Sequence, residues 1–172
     1  MGTQNVIARE PLVMLEEALQ AGVTMFQFRE KGNGTLTGAA YEQFACDCQT
    51  LCKKYRVPFI VNDDVDLAIK LQADGVHIGQ DDEAVAQVKK KIGHMMLGVS
   101  VHTMTEVAEA VACGAEYVGI GPIFPTKSKA DAQTPAGTAF LQQVAKAYPH
   151  LPIVAIGGIT EGNAYLPLTA GA

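Results

Sequence analysis

Apolar and polar positions alternate along this chain on two length scales. Six short apolar runs, rich in β-branched residues, read as strands: Val23–Phe28, Pro58–Val61, Gly75–Ile78, Met95–Val99, Tyr117–Ile120 and Ile153–Ile156. The first two are almost continuously apolar, which suits strands covered on both faces. Amphipathic stretches of helical length separate the runs. Pro11–Gln20 carries proline at its first position and apolar residues at Leu12, Leu15 and Leu19. Thr37–Tyr55 is the longest, Val65–Leu71 is short, and Glu83–Ile92 ends in a lysine run beside Gly93. Thr103–Cys113 opens on Thr103-x-x-Glu106, the capping-box pattern, and stops at Gly114. Thr138–Tyr148 ends before Pro149, and Thr160 starts one more helix.

Strands alternating with helices predict βαβ units and a parallel sheet. A closed barrel and an open doubly wound sheet compete. Polar groups follow every strand, and a barrel assembles its site from all of its βα loops. An open sheet gathers its ligand at one switch point, and the first βα turn lacks Gly-x-Gly-x-x-Gly. The expectation is therefore an α/β fold of the (β/α)8 TIM-barrel type. Such a barrel needs eight strands and typically about 250 residues. This chain shows six runs. It reads as one TIM-barrel domain over residues 1–172 that begins at the end of strand one and halts before strand eight, so that the first and last strands lie outside it.

Composition narrows the class. The chain has 172 residues, 48% hydrophobic and 18% charged, which fits one folded domain and opposes wholesale disorder. Its formal net charge of -5, with no basic stretch longer than the three lysines before Ile92, disfavours nucleic acid as a partner. No stretch reaches the roughly 18 apolar residues of a membrane span. Residues 1–6 lack the basic and apolar segments of a secretion signal. Cys46, Cys48 and Cys52 lie in a helical pattern without a nearby histidine, and Cys48 and Cys52 share a face. They read as small buried residues rather than metal or redox groups, which makes the cytoplasm the expected compartment. The oligomeric state stays open, a homo-oligomer included.

Five segments carry chemistry. Gln27, Arg29 and Lys31 alternate, so on a strand they share a face, and two cations beside an amide suit an anionic ligand. Asn62-Asp63-Asp64 and His77-x-x-Gln80-Asp81-Asp82 each hold adjacent carboxylates, which repel unless a positive group sits near. A divalent cation such as Mg2+, which takes one or two carboxylates plus phosphate oxygens, solves that problem for Asp63 and Asp82. N-capping of the next helix is the competing role, above all for Asp64 and Asp81. Thr126, Ser128 and Lys129 lie in a proline- and glycine-rich loop that suits a phosphate, or is an ordinary solvated loop. Gly157-Gly158 allows backbone N–H groups to face a phosphate at a helix N-terminus, or forms a plain tight turn. His77 could line the site, Ser100 and His102 share a direction, and for each histidine a structural role competes with a functional one.

In this order, Gln27–Lys31 (QFREK), Val61–Asp66 (VNDDVD), Asp74–Asp82 (DGVHIGQDD), Gly98–Thr103 (GVSVHT), Tyr117–Lys129 (YVGIGPIFPTKSK) and Ile153–Ile159 (IVAIGGI) resemble the thiamine phosphate synthase family over nearly the whole chain. The resemblance implies a (β/α)8 barrel. It implies an enzyme that joins a hydroxymethylpyrimidine diphosphate to a thiazole phosphate with Mg2+, giving thiamine phosphate and pyrophosphate. Carried over by residue, Gln27, Arg29, Lys31, Asn62, Ser100 and Lys129 resemble the pyrimidine-diphosphate contacts. Asp63 and Asp82 match the Mg2+ ligands, and Thr126, Ser128 and Gly158 match contacts to the thiazole phosphate. Arg29, Lys31, Ser100 and Lys129 are the expected catalytic groups. The implied route ionises the pyrimidine diphosphate first and needs no strong general base. Two alternatives are a related thiazole tautomerase, which needs a histidine base and no metal pair, and a protein that binds thiamine phosphates without turnover. Asp63, Asp82 and the three cations oppose both.

Overall fold

The computed structural model describes residues 1–6, 9–80, 82–126 and 135–172. Its strands are β1 (Phe26–Phe28), β2 (Phe59–Asn62), β3 (Gly75–Ile78), β4 (Met96–Val101), β5 (Tyr117–Ile120) and β6 (Ile153–Ala155). Between them run α1 (Pro11–Gln20), α2 (Gly38–Tyr55), α3 (Val65–Leu71), α4 (Val85–Ile92), α5 (Met104–Ala112), α6 (Gly137–Ala147) and α7 (Tyr165–Ala170). The strands follow chain order in one six-stranded sheet. The fold is thus α/β with parallel strands, as the alternation of periods predicts.

Two compact units make up the chain: Met1–His77 with Ile92–Met96, and Ile78–Lys91 with Leu97–Ala172. In the first, β1 pairs with β2 in parallel (Phe28 opposite Val61), and β2 pairs with β3 (Asn62 opposite His77). Its centre is aromatic. Phe28, fully buried, lies between Tyr41, Phe44 and Phe59 at centroid distances of 5.5, 5.7 and 6.0 Å. Such pairs add to the area term because tilted rings match edge to face. Leu15 and Leu19 of α1 and Cys48 and Cys52 of α2 are buried too, so the helices cover the sheet with the faces their spacing predicts.

In the second unit, β5 pairs in parallel with β4 (Gly98 opposite Tyr117) and with β6 (Ile120 opposite Ala155). Glycine at 98 is required by that register. A Cβ there would lie 2.1 Å from Cζ of Tyr117, whose ring fills the space. Val99, Val101, Val118, Ile120, Leu141 and Val144 close the core, each with no exposed surface.

Several boundaries differ from the sequence pattern for identifiable reasons. The apolar run at Val23 does not begin a strand. Val23 N–H donates to the Ala18 carbonyl, so the residue closes α1, and β1 starts only at Phe26. Helix α4 starts at Val85 rather than Glu83, while its lysines do fall in the last turn. The capping box of α5 is half formed. Thr103 Oγ1 accepts from Glu106 N–H, but the Glu106 carboxylate accepts from His102 N–H (2.6 Å) instead of returning to Thr103. No helix among the described residues is long and apolar enough to cross a membrane.

Candidate functional site

In each unit, polar residues follow the C-terminal ends of the strands. In the first unit Gln27 is half-buried in β1, between Phe26 and Phe28. Alternation along a strand accounts for Gln27 alone, because β1 ends at Phe28. Arg29 and Lys31 belong to the loop beyond it, a correction to the reading of all three as strand positions. Arg29 is nevertheless held as a strand edge. Its N–H donates to the Met1 carbonyl (3.0 Å), and Met1 N–H donates to the Gln27 carbonyl, the pattern of a parallel bridge.

Glu30, between the two cations, organises the loop. Its carboxylate accepts from Thr3 N–H (2.7 Å), Thr3 hydroxyl and Leu36 N–H (3.1 Å). Sequence reasoning does not single out Glu30, since nothing in its spacing distinguishes a carboxylate that binds backbone from one that faces solvent. Lys31 then reaches the loop after β2, where its ammonium pairs with Oδ2 of Asp63. The first unit therefore brings Lys31 and Asp63 into contact, and the cation that two adjacent aspartates call for is partly supplied by the chain itself.

Asn62 ends β2 opposite His77 of β3, and His77 is buried at 3% exposure. Asp63 takes a left-handed backbone (φ 64). Its N–H donates to the His77 carbonyl at 2.8 Å. Asp64 caps α3, accepting from Leu67 N–H at 2.9 Å, the competing role its position suggests. Its other oxygen accepts from the hydroxyl of Tyr41 on α2 (3.1 Å). Burial first, then the Asp64 carboxylate, pushes the Tyr41 hydroxyl above its ordinary pKa, so Tyr41 keeps its proton and is the donor.

In the second unit Asp82 turns back on its own loop, and Oδ2 accepts from Gly79 N–H at 2.7 Å. Gln80 donates to the Ser100 carbonyl (2.7 Å), which ties the loop after β3 to β4. Asp81 lies outside the described residues, so its expected capping role does too. The loops after β5 and β6 meet closely. Ile123 N–H donates to the Ile156 carbonyl (2.8 Å) and Phe124 N–H to the Gly157 carbonyl (3.1 Å). Gly158 (φ 67) lies so near that a Cβ would be 2.7 Å from the Phe124 and Pro125 carbonyls. Gly158 and Thr126 thus come from adjoining loops, whereas Ser128 and Lys129 fall outside the described residues. The expected helix directly after Gly157-Gly158 is not there. Residues Thr160–Ala164 form a turn on the Thr160 carbonyl, closed by Asn163, and α7 begins only at Tyr165. An anion at Gly158 would meet loop N–H groups rather than a helix end. His102 N–H donates to Glu106, whose carboxylate also lies 3.4 Å from His102 Nδ1.

Asp63 in the first unit and Asp82 in the second each carry the kind of oxygen donor a hard cation takes, and Asp63 already holds a positive partner. Among the described residues no three His, Cys, Asp or Glu side chains cluster tightly enough to hold an ion by themselves.

Parallel strands alternating with helices, with polar residues following the strands, define an α/β protein of the (β/α) class. The comparisons are specific. The family model for thiamine monophosphate synthase matches residues 1–172. The thiamine-phosphate synthase of Lysinibacillus sphaericus (strain C3-41) is 64% identical over 172 residues, 100% of this chain and 81% of that protein. The thiamine-phosphate synthase of Bacillus cereus (strain B4264) is 53% identical, again over 100% of this chain and 78% of that protein. Among solved structures, thiamine phosphate pyrophosphorylase from Pyrococcus furiosus superposes with a TM-score of 0.84 at 32% identity, covering 95% of this chain and 77% of that one. The chain belongs to the thiamine monophosphate synthase family.

Proposed function

We propose that this protein couples 4-amino-2-methyl-5-hydroxymethylpyrimidine diphosphate to 4-methyl-5-(2-phosphoethyl)thiazole, with Mg2+, and releases pyrophosphate. The bond between the pyrimidine methylene carbon and the diphosphate oxygen breaks. The thiazole nitrogen forms the new bond to that carbon, and the electron pair leaves on pyrophosphate. The contact that carries this reading is the pairing of Lys31 with Asp63, which joins the loop after β1 to the loop after β2.

Asp63 and Asp82 are the proposed Mg2+ ligands, and the ion would neutralise charge on the departing diphosphate. Arg29, with a planar fork, and Lys31 and Lys129, as point charges, stabilise the same charge as it develops. Gln27 and Asn62 orient the pyrimidine by hydrogen bonds to its amino and ring nitrogens, with Ser100 and His77 beside them. Thr126, Ser128 and Gly158 take the thiazole phosphate. A strong base is not needed, which accords with the buried placement of His77 in β3. Free thiols on α2 accord with a cytoplasmic location.

The test is pyrophosphate release from both substrates with and without Mg2+. Release that depends on the metal is expected, and Asp63→Ala should raise the Mg2+ requirement or abolish turnover. Metal-independent release, or unchanged kinetics of Asp63→Ala at low Mg2+, refutes the ligand role. No release at all from the wild-type chain refutes the coupling reaction.

A further inference from the structure

A left-handed aspartate between a strand and a helix needs holding, although aspartate tolerates that conformation better than most residues. Asp63 is held both from β3 and from within its own turn. Its N–H is bound by the His77 carbonyl (2.8 Å), and its carbonyl accepts from Val65 N–H (3.0 Å). Asp64 N–H donates to the Asn62 carbonyl (2.8 Å), and Asp64 Oδ1 accepts from Leu67 N–H (2.9 Å). These bonds fix the turn from β2 into α3. Two contacts reach the turn from further off: the Lys31 ammonium pairs with Asp63 Oδ2, and the other comes from α2. Tyr41, on α2, donates to Asp64 Oδ2 at 3.1 Å. The Tyr41 ring is itself set against Phe28, 5.5 Å between centroids, at the centre of the aromatic core. Both oxygens of Asp64 are therefore engaged, one by the helix it caps and one by a side chain anchored in β1 packing.

We infer that Tyr41 is a positioning residue: by tethering Asp64 to the aromatic core it aims the neighbouring Asp63 carboxylate at the divalent cation. This rests on the reading of Asp63 as a Mg2+ ligand. Tyr41 binds Asp64 rather than Asp63 itself, so its removal alters how well the cation is held rather than the chemistry once the cation is bound. Small losses of aim matter in such sites, because ligand geometry is set by the groups that bind the ligands.

Tyr41→Phe keeps the ring and deletes only the hydroxyl. Two readouts separate aim from mere stability: Mn2+ affinity by electron paramagnetic resonance with inorganic pyrophosphate present, and the Mg2+ concentration giving half-maximal rate. Both should weaken by about threefold to tenfold, the range of one hydrogen bond. At saturating Mg2+, kcat should return to within about twofold of wild type, because metal restores what aim has lost. Asp63→Asn is the control. If Asp63→Asn weakens Mn2+ binding while Tyr41→Phe does not, the positioning role is overturned and the ligand role stands. If Asp63→Asn leaves Mn2+ binding unchanged, the ligand role falls, and the inference with it. A lowered melting temperature for Tyr41→Phe without a change in metal dependence also overturns it.

Discussion

Cys48 and Cys52 lie one turn apart on α2 with no exposed surface. Burial, with a smaller push from Cys52, raises the Cys48 thiol to about 12, and burial, with a smaller push from Asp74, raises Cys52 to about 11. Both folded values exceed the ordinary thiol value, so the sign is fixed. The stability these thiols contribute is intact below about pH 9 and is lost as pH rises toward 11 and 12. Their thiolate fraction at neutral pH is correspondingly small. Alkylation of the native protein at pH 8, followed by peptide mass spectrometry, should modify half-buried Cys46 and Cys113 at least about tenfold faster. Equal rates at all four cysteines would mean that α2 opens readily or that burial does not set their reactivity. The shared face of Cys48 and Cys52 is legible in helical spacing. The roles of Glu30 and Tyr41 are not, since both depend on partners distant in sequence that only the packed structure brings near.

Among the elements, the ends rather than the bodies resist sequence reading. α1 and α3 run over the residues that periodicity assigns, because proline opens the first and the Asp64 cap opens the second. Strand β1 is half as long as its apolar run, since hydrophobicity does not distinguish a residue that closes a helix from one that opens a strand. For the same reason Gly157-Gly158 promises a helix end and supplies a loop: glycine marks where the chain turns but not which element comes next. The cap of α5 is a case where local pattern and structure agree on the half that carries energy. Thr103 satisfies an N–H that would otherwise lack a partner within the helix, and Thr103→Ala should cost about 1 kcal/mol, read as a shift in the urea midpoint at constant slope. An unchanged midpoint would show that water replaces the cap without loss.

At the scale of the molecule, strand order, parallel pairing and helix placement are all legible in the alternation of two periods, because each βαβ step constrains the next. The polar rim comes from the same order. What the alternation does not encode is which opposite charges meet before any ligand arrives. Lys31 with Asp63 is such a meeting, and it makes the resting rim self-compensated. If Asp63 is a metal ligand as proposed, a bare metal ion would compete with the ammonium for that carboxylate and gain little. An ion that arrives with a polyphosphate offers the evicted ammonium a new anionic partner, and the exchange becomes favourable on both sides. Thermal melts should therefore show almost no response to Mg2+ alone, and a rise of several degrees when pyrophosphate accompanies it well above its dissociation constant. A full response to the metal by itself would show that the ammonium presents no obstacle. The rim behaves as an occupied berth, yielded only to a vessel that brings its own mooring.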